Sequence, residues 1–384
     1  MRVQCLQENL ARALSLVSRA VAPRTTTLPV LTHVLLATDN GRLKVAATNL
    51  EVGVVYWIGA KVESDGAITV PARTLSELVT LLPADKVDLE LNVRTQTLRV
   101  QCGRTDTTIK GIDAQEFPII PSPGEQPLAR ISGSALKKLI SQVVFAAATD
   151  ESRPALTGVL TKLDGERITM VATDGFRLSK REEKLLEAIT SDAPVAMLIP
   201  AKALQEVSRV IESEEDVVFI HLTASHGQAM FQTPRANVVA QLIDQKFPPW
   251  EAIVPQRYET RVTLNAAEML KACRQASIFA RESADMVRLG IHVGEDLEPG
   301  KVTVSARADE TGENCSELEA ITSGKSMEIG FNVRYLIEGI SAADSPQVVM
   351  DLIQPRSPAV LRAIGDEHYL HIIMPMNLPG SNPT

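Results

Sequence analysis

Four landmarks recur in the same order along this chain, and their spacing is close to 130 residues each time. An early amphipathic stretch reads NLARALSLVSRAV, then ALKKLISQVVFAA, then EMLKACRQASIFA; aligning Leu10, Leu136 and Leu270 gives steps of 126 and 134. A later one reads VPARTLSELV, IPAKALQEVS and FNVRYLIEGI, with Val70, Ile199 and Phe331 separated by 129 and 132. Between them stand AATNLE, VATDGF and ARADET, whose Ala47, Ala172 and Ala306 lie 125 and 134 apart. Phe117-Pro118 and Phe247-Pro248 close the first two copies, 130 apart. A chain of 384 residues exceeds one ordinary core. A domain-sized repeat divides it into three copies, 1–121, 127–254 and 259–384. Both joins carry Pro and polar residues, as linkers do.

Each copy reads as a strand, a helix, several strands, a second helix and more strands. Leu10, Leu14, Val17 and Val21 fall at steps of 4, 3 and 4, one apolar stripe. Six helices are expected, at 7–21, 73–82, 134–148, 201–212, 266–280 and 333–342. LKVAAT, VDLELNV and ITMVAT alternate as half-buried antiparallel strands do. Turn signals separate them: Asp39-Asn40-Gly41, Asp65-Gly66, Asp164-Gly165 and Asp174-Gly175. Two helices on one face of antiparallel sheets make an α+β unit, here in three copies.

Composition narrows the function. No apolar run reaches 18 residues, so no membrane span is expected. MRVQCLQENL has no apolar signal core, which points to the cytoplasm. Cys5, Cys102, Cys273 and Cys315 never form a CxxC pair, so reduced thiols and no zinc are expected. The net charge of −8 argues against indiscriminate polyanion binding. The charge is unevenly spread, however. The six helices hold ten basic residues (Arg12, Arg19, Arg73, Lys137, Lys138, Lys202, Arg209, Lys271, Arg274, Arg334) and six acidic ones (Glu8, Glu77, Glu206, Glu212, Glu268, Glu338). That leaves +4 on the helices and −12 everywhere else. A helix-built surface facing phosphates, with an exterior that repels them, fits this contrast; so would solvated helix faces, since Lys and Arg are good helix formers.

Catalytic patterns are missing. There is no GxxxxGK[ST] or GxGxxG loop, no GxSxG elbow and no HExxH. His368 and His371, three apart in an expected strand, point to opposite faces and do not share a metal. His221 and His226 flank a turn. Glu212, Glu214, Glu215 and Asp216 could hold Mg²⁺ in a nuclease, but read more simply as a solvated turn after a helix. A nucleic-acid-processing enzyme and a monomeric three-domain adaptor are the competing readings. No cofactor is expected.

Three copies of a two-helix unit, Val70-Pro71-Ala72-Arg73 before a helix, Ala172-Thr173-Asp174-Gly175-Phe176-Arg177-Leu178 in the middle copy and Met374-Pro375-Met376 near the end together resemble the bacterial DNA sliding clamp family, the beta subunit of DNA polymerase III. The match runs from Met1 to about Leu378. The resemblance implies a non-catalytic, head-to-tail homodimer that closes into a ring around duplex DNA, helices inside and sheets outside. Its implied partners are the polymerase catalytic subunit, an ATP-driven clamp loader and other proteins carrying a clamp-binding motif. Helices about 10 Å across, six abreast, would leave a hole of roughly 10 Å; twelve would leave about 30 Å. B-DNA is roughly 20 Å wide, so two copies suffice and one does not.

The resemblance also assigns residues. Arg24 in RTTTLP, Arg73 in VPAR, Arg153 before Pro-Ala-Leu and Lys202 in IPAK match DNA-facing positions, as phosphate contacts without sequence information. Leu156, Thr173, Gly175, Phe176, Arg177, Leu178, Pro248, Ile253, Met374, Pro375, Met376, Asn377 and Leu378 match a cleft that takes short linear peptides. Ile278 and Phe279 are matched against Thr107 and Ile109 of a second copy at the dimer seam. Phe279 also lies nine residues after Leu270, half a turn from a stripe centred there. Phe176 stands where the family often has His, Asn377 where a basic residue is common, and Thr107 where relatives carry a larger apolar residue. Met374 and Met376 are expected to share one face of an edge strand, and the tail 379–384 to be mobile.

Overall fold

The computed structural model describes residues 1–23, 27–189, 191, 193–223, 227–294 and 299–378. Arg24, His226 and the tail 379–384 lie outside them. Among the described residues six α-helices form: α1 Gln7–Val17, α2 Ala72–Leu81, α3 Gly133–Val143, α4 Ala201–Val210, α5 Ala266–Ala280 and α6 Val333–Ala343. The expected first and third helices run on only as 3-10 turns, Ser18–Ala20 and Val144–Ala146, the tightened ending common at helix termini.

The repeat is visible in what each helix buries. Leu10, Ala13, Leu14 and Val17 of α1, Leu136, Leu139, Ile140 and Val143 of α3, and Met269, Ala272, Cys273 and Ala276 of α5 are all buried, at the same i, i+3, i+4, i+7 positions. This corrects the third copy by one residue: Met269, not Leu270, is the counterpart of Leu10 and Leu136. Leu270 is only half-buried at the edge of the core. In the second helices, Ala72, Leu75, Val79 and Leu82 match Val333, Leu336, Ile340 and Ala343.

The chain divides into two compact units. One holds residues 1–137, 164–166 and 185–244; the other holds 138–163, 167–184 and 245 onward. The first has a five-stranded antiparallel sheet ordered Lys61–Ser64, Arg2–Leu6, Lys86–Asn92, Thr97–Cys102, Thr105–Lys110. Its second, nine-stranded sheet pairs Val52–Gly59 of the first copy with Ala236–Gln241 of the second, Val54 opposite Val238. At this junction Glu212 accepts the Tyr56 hydroxyl and pairs with Arg12 and Arg235, each at 3.3 Å. Glu212 was expected in a solvated turn; its side chain is instead 19% exposed and holds two copies together. Burial first, then the neighbouring Glu212 carboxylate, push the Tyr56 hydroxyl up to about 12.

The second unit contains the matching junction. Its strands run Gly158–Asp164, Arg167–Thr173, Arg177–Lys184, Tyr369–Ile373, Ala359–Ala363, Gln347–Leu352, Thr260–Asn265, Gly312–Ser323, Gly300–Ala308, Met286–His292, Met327–Asn332. Arg177–Lys184 of the middle copy pairs with Tyr369–Ile373 of the third, Ser179 opposite His371. Above it Gln142 Nε2 in α3 donates to the Ala342 carbonyl in α6 at 2.6 Å. Phe145 lies against the His371 ring at 5.3 Å.

His371 is fully buried, and burial, then the nearby Arg177 charge, depress its pKa to about 3. In the unfolded chain the ring would titrate near 6.5. Between those values the unfolded state takes up a proton that the fold refuses, so stability falls as pH drops from 6.5 toward 3. His33 and His221, also lowered chiefly by burial, add the same sign. The urea midpoint is expected to fall between pH 7.5 and pH 5, above the carboxylate range, and to fall less in His371→Gln. Equal pH dependence in both proteins would remove His371 from the account.

Candidate functional site

The turn after Arg167–Thr173 is built by its own side chains. Thr173 Oγ1 donates to the Arg177 carbonyl at 2.5 Å and accepts the Gly175 N–H at 3.0 Å. The Asp174 carboxylate accepts the backbone N–H of Phe176 at 2.9 Å and of Arg177 at 3.0 Å. Gly175 sits at φ +95°, a backbone region L residues avoid. The result is a rigid loop that holds Phe176 outward, 59% exposed. The Met374 N–H donates to the Phe176 carbonyl at 2.8 Å, and the Met376 N–H to the Gly330 carbonyl at 2.8 Å. A Cβ on Gly330 would come within 2.8 Å of the Met376 carbonyl oxygen and 2.9 Å of a Leu378 methyl. Glycine there lets the terminal segment lie on Met327–Asn332.

The last strand therefore ends at Ile373. Met374 and Met376 bond to different neighbours on either side of Pro375, which has no N–H to continue a ladder. They do not share a regular strand face, as the alternation had suggested. Of the thirteen cleft positions, the structure links Thr173, Gly175, Phe176, Arg177, Leu178, Met374, Met376 and Leu378 through this turn, the Arg177–Ile373 pairing and the Gly330 contacts. Leu156 is buried on the 3-10 turn Pro154–Thr157. Pro248 is half-buried, and Ile253 is exposed on Glu251–Ile253. Phe176, Ile253 and Met374 are the exposed apolar members, with Pro375 and Met376 half-buried and Asn377 exposed.

Arg177 does something the sequence did not suggest. Its side chain is 9% exposed. Nε pairs with Asp174 at 3.0 Å, one Nη with Glu338 of α6, and the other donates to the Phe145 carbonyl at 2.6 Å. Its guanidinium stacks over Tyr335 at 4.4 Å. Arg177, expected in the cleft, is also a brace tying the cleft turn to the 3-10 turn Val144–Ala146 and to α6. Arg153, matched to a DNA-facing position, is exposed, and its Nη2 donates to the Asp174 carbonyl of the cleft turn at 3.2 Å.

Arg73 is exposed and pairs with Glu77 one turn on at 2.6 Å; Lys202 is exposed at the equivalent position of α4. Thr107 is half-buried and Ile109 buried on Thr105–Lys110, the edge strand of the five-stranded sheet. On α5, Phe279 packs against the margin of its own core, while Ile278 is 60% exposed. Measured from Met269, the residue half a turn away is Ile278 and not Phe279. No group of three or more His, Cys, Asp or Glu side chains among the described residues is placed to hold a metal.

Models of three DNA polymerase III beta subunit domains match in tandem: N-terminal over residues 1–121, central over 130–249 and C-terminal over 251–377. The beta sliding clamp of Synechococcus elongatus is 33% identical over 386 residues, covering 98% of this chain and all of that protein. The chain belongs to the DNA polymerase III beta subunit family. Its fold is the three-domain beta clamp fold, and its members are sliding clamps, non-catalytic processivity factors of DNA polymerase III. The sliding clamp of Bacillus subtilis superimposes with a TM-score of 0.89 at 26% identity, over 98% of this chain and 99% of that one. A beta subunit from Pseudomonas aeruginosa bound to griselimycin does so with a TM-score of 0.89 at 29% identity, over 98% and 100%. No helix among the described residues is long and apolar enough to cross a membrane.

Proposed function

We propose that two copies of this chain, each built of the repeats 1–121, 127–254 and 259 onward, close head to tail into a cytoplasmic ring around duplex DNA. The ring tethers the replicative polymerase, its loader and other partners through the cleft at Thr173–Leu178 and Met374–Leu378. The observation that carries the ring is the repeated strand junction. Val54 lies opposite Ala47 in its hairpin, Ser179 opposite Ala172, and Asn314 opposite Ala306. These three are equivalent. Val238 lies opposite Phe231, His371 opposite Leu361, and Thr107 opposite Val100; these three are equivalent too. Val54 pairs with Val238 and Ser179 with His371. The remaining edges, Gly312–Ala320 and Thr105–Lys110, are left to pair with a second copy, Asn314 opposite Thr107. Unpaired edges invite such addition. The same register sets Gly312 opposite Ile109, Glu317 opposite Arg104, and Cys315 opposite Asp106.

Cys315 is an exposed free thiol. Opposed residues of an antiparallel pair fall within disulfide reach. Asp106→Cys under mild oxidation should therefore run as a covalent dimer on a non-reducing gel, and Asp106→Cys with Cys315→Ser should not. A non-covalent dimer without the cross-link would refute the register; a monomer would refute the ring.

The cleft suits an extended peptide that buries two or three apolar side chains on Phe176, Met374 and Met376, each about 1.5–3 kcal/mol before ordering costs. Methionine adapts to varied ligands. Affinity should be on the order of micromolar, and acidic peptides should gain little because Asn377 brings no charge to the rim. Met376→Ala is expected to weaken a titrated clamp-motif peptide by roughly tenfold, about 1.4 kcal/mol, while a chain ending at Leu378 binds normally. Unaltered binding by Met376→Ala would take that residue out of the site.

A further inference from the structure

We propose that the first unit carries a second peptide-binding surface, built around Leu28, Leu50 and Ile119, for an extended segment of another protein with an apolar anchor between basic side chains; this rests on the cleft reading above. The strand junction is repeated, and the turn beside it is repeated with it. Thr48 Oγ1 donates to the Val52 carbonyl at 3.1 Å and accepts the Leu50 N–H at 3.0 Å, as Thr173 does for Arg177 and Gly175. Asn49 Oδ1 accepts the N–H groups of Glu51 at 3.0 Å and Val52 at 2.8 Å, the part Asp174 plays for Phe176 and Arg177. The Gln241 N–H donates to the Glu51 carbonyl at 2.8 Å and the Ile243 N–H to the Leu198 carbonyl at 2.9 Å, matching the bonds made by Met374 and Met376. The backbone that builds the cleft is thus built a second time, within the first unit.

What this copy exposes does not serve the fold. Leu50 stands where the cleft has Gly175, at φ +76°, a conformation a leucine adopts only at a cost. Burial does not repay that cost, because the side chain is 54% exposed. Strain kept without a packing gain points to a role outside the chain. Leu28 precedes the 3-10 turn Pro29–Thr32 as Arg153 precedes Pro154–Thr157, the position from which Arg153 reaches the cleft turn; Leu28 is exposed too. Ile119 is almost wholly exposed, and its neighbour Ile120 lies over Gly53, where a Cβ would stand 3.3 Å from the Ile120 Cγ2. Gly53 is the counterpart of Leu178, so Ile120 supplies from the linker the floor that Leu178 supplies from its strand. Three exposed apolar side chains mark this copy, as Phe176, Ile253 and Met374 mark the cleft. The rims differ in charge. Glu51 and Asp244, both exposed, stand where the cleft has Phe176 and Asn377. An acidic rim selects basic flanks, so the two surfaces sort peptides by charge.

Calorimetric titration of the intact protein with two synthetic peptides tests this: a Leu-Phe anchor between lysines, and its twin with the anchor replaced by alanines. The anchored peptide should bind, and Leu50→Gly should weaken it about tenfold. The urea midpoint of Leu50→Gly should stay native or rise, since glycine takes positive φ freely. Glu51→Lys with Asp244→Lys should weaken the same peptide, and Met376→Ala should leave it unchanged. An anchored peptide that fails to bind, or an alanine twin that binds as well, would overturn the proposal. So would a fallen midpoint in Leu50→Gly, which would give Leu50 a packing role in the fold. An anchored peptide weakened by Met376→Ala and not by Leu50→Gly sits in the cleft, and the second surface is wrong while the cleft stands. Failure of the cleft reading looks different: a clamp-motif peptide would ignore Met376→Ala, and the response of the anchored peptide to Leu50→Gly would still decide the first-unit surface.

Discussion

The Ile278→Asp chain is expected to sediment as a monomer at concentrations where the native protein is a dimer. Ile278 is nine residues past Met269, about 900° along the helix and so opposite the buried stripe of α5. A 60% exposed isoleucine there asks for cover. The junction inside the second unit shows which cover fits. There Gln142 Nε2 bonds the Ala342 carbonyl; the equivalents of that pair are Gln275 and the Leu81 of a second copy. Leu81 is 84% exposed, and closing the seam would bring it beside Ile278. An ionised carboxylate forced into that contact costs several kcal/mol unless paired, more than an exposed edge pairing supplies. Phe279→Asp is the weaker test, because Phe279 also packs on its own core and a loss of dimer would be confounded with local damage. A dimer that survives Ile278→Asp at micromolar concentration would rule out this face of α5 as the seam.

Arg177→Ala is expected to destabilise the second unit by about 3–5 kcal/mol, the cost of breaking a buried ion pair from one side. Asp174, Glu338 and the Phe145 carbonyl would lose their shared donor together, and the Tyr335 ring would lose its stacked guanidinium. With a urea slope of roughly 1–3 kcal/mol per molar, the midpoint should fall by about 1 M or more. Arg177→Lys should recover part of this at most, since an ammonium cannot fork to three acceptors. Peptide affinity should drop as well, because Asp174 would no longer be held and Phe176 rides on the Asp174 turn. A native urea midpoint in Arg177→Ala would show that the brace is decorative.

The helices were legible because a 3.6-residue period leaves a local trace, and three copies of that trace reinforce one another. The one-residue error at Leu270 has a plain cause: EMLKA offers two adjacent large apolar side chains, and only packing decides which one turns inward. The cleft turn was equally local, since Thr173, Asp174 and Gly175 bond within four residues of themselves. What the sequence hid were the junctions. Tyr56 and Glu212 are 156 residues apart, and Arg177 and Glu338 are 161 apart. A lone charge in a strand or after a helix looks solvated until its distant partner is known. The junction roles of Glu212 and Arg177 stayed hidden for that one reason. The seam was half legible: exposed apolar residues on α5 could be named, but choosing between Ile278 and Phe279 needed the true stripe.

The middle copy belongs to neither unit alone, and this has a consequence for the order in which the protein is made. A ribosome that has released the chain only to residue 254 has completed the first unit, including the Val52–Gly59 pairing with Ala236–Gln241. The strand Arg177–Lys184 is already synthesised, yet its partner Tyr369–Ile373 is more than a hundred residues from being translated. At the usual pace of synthesis that interval lasts roughly 10 s. Throughout it a strand edge stands bare, and the Arg177 guanidinium lacks Glu338 and Tyr335, which are still to come. Nascent chains stalled in the last third should therefore be the sticky ones, held by chaperones or lost to aggregation, while chains released at residue 254 already carry a finished first unit.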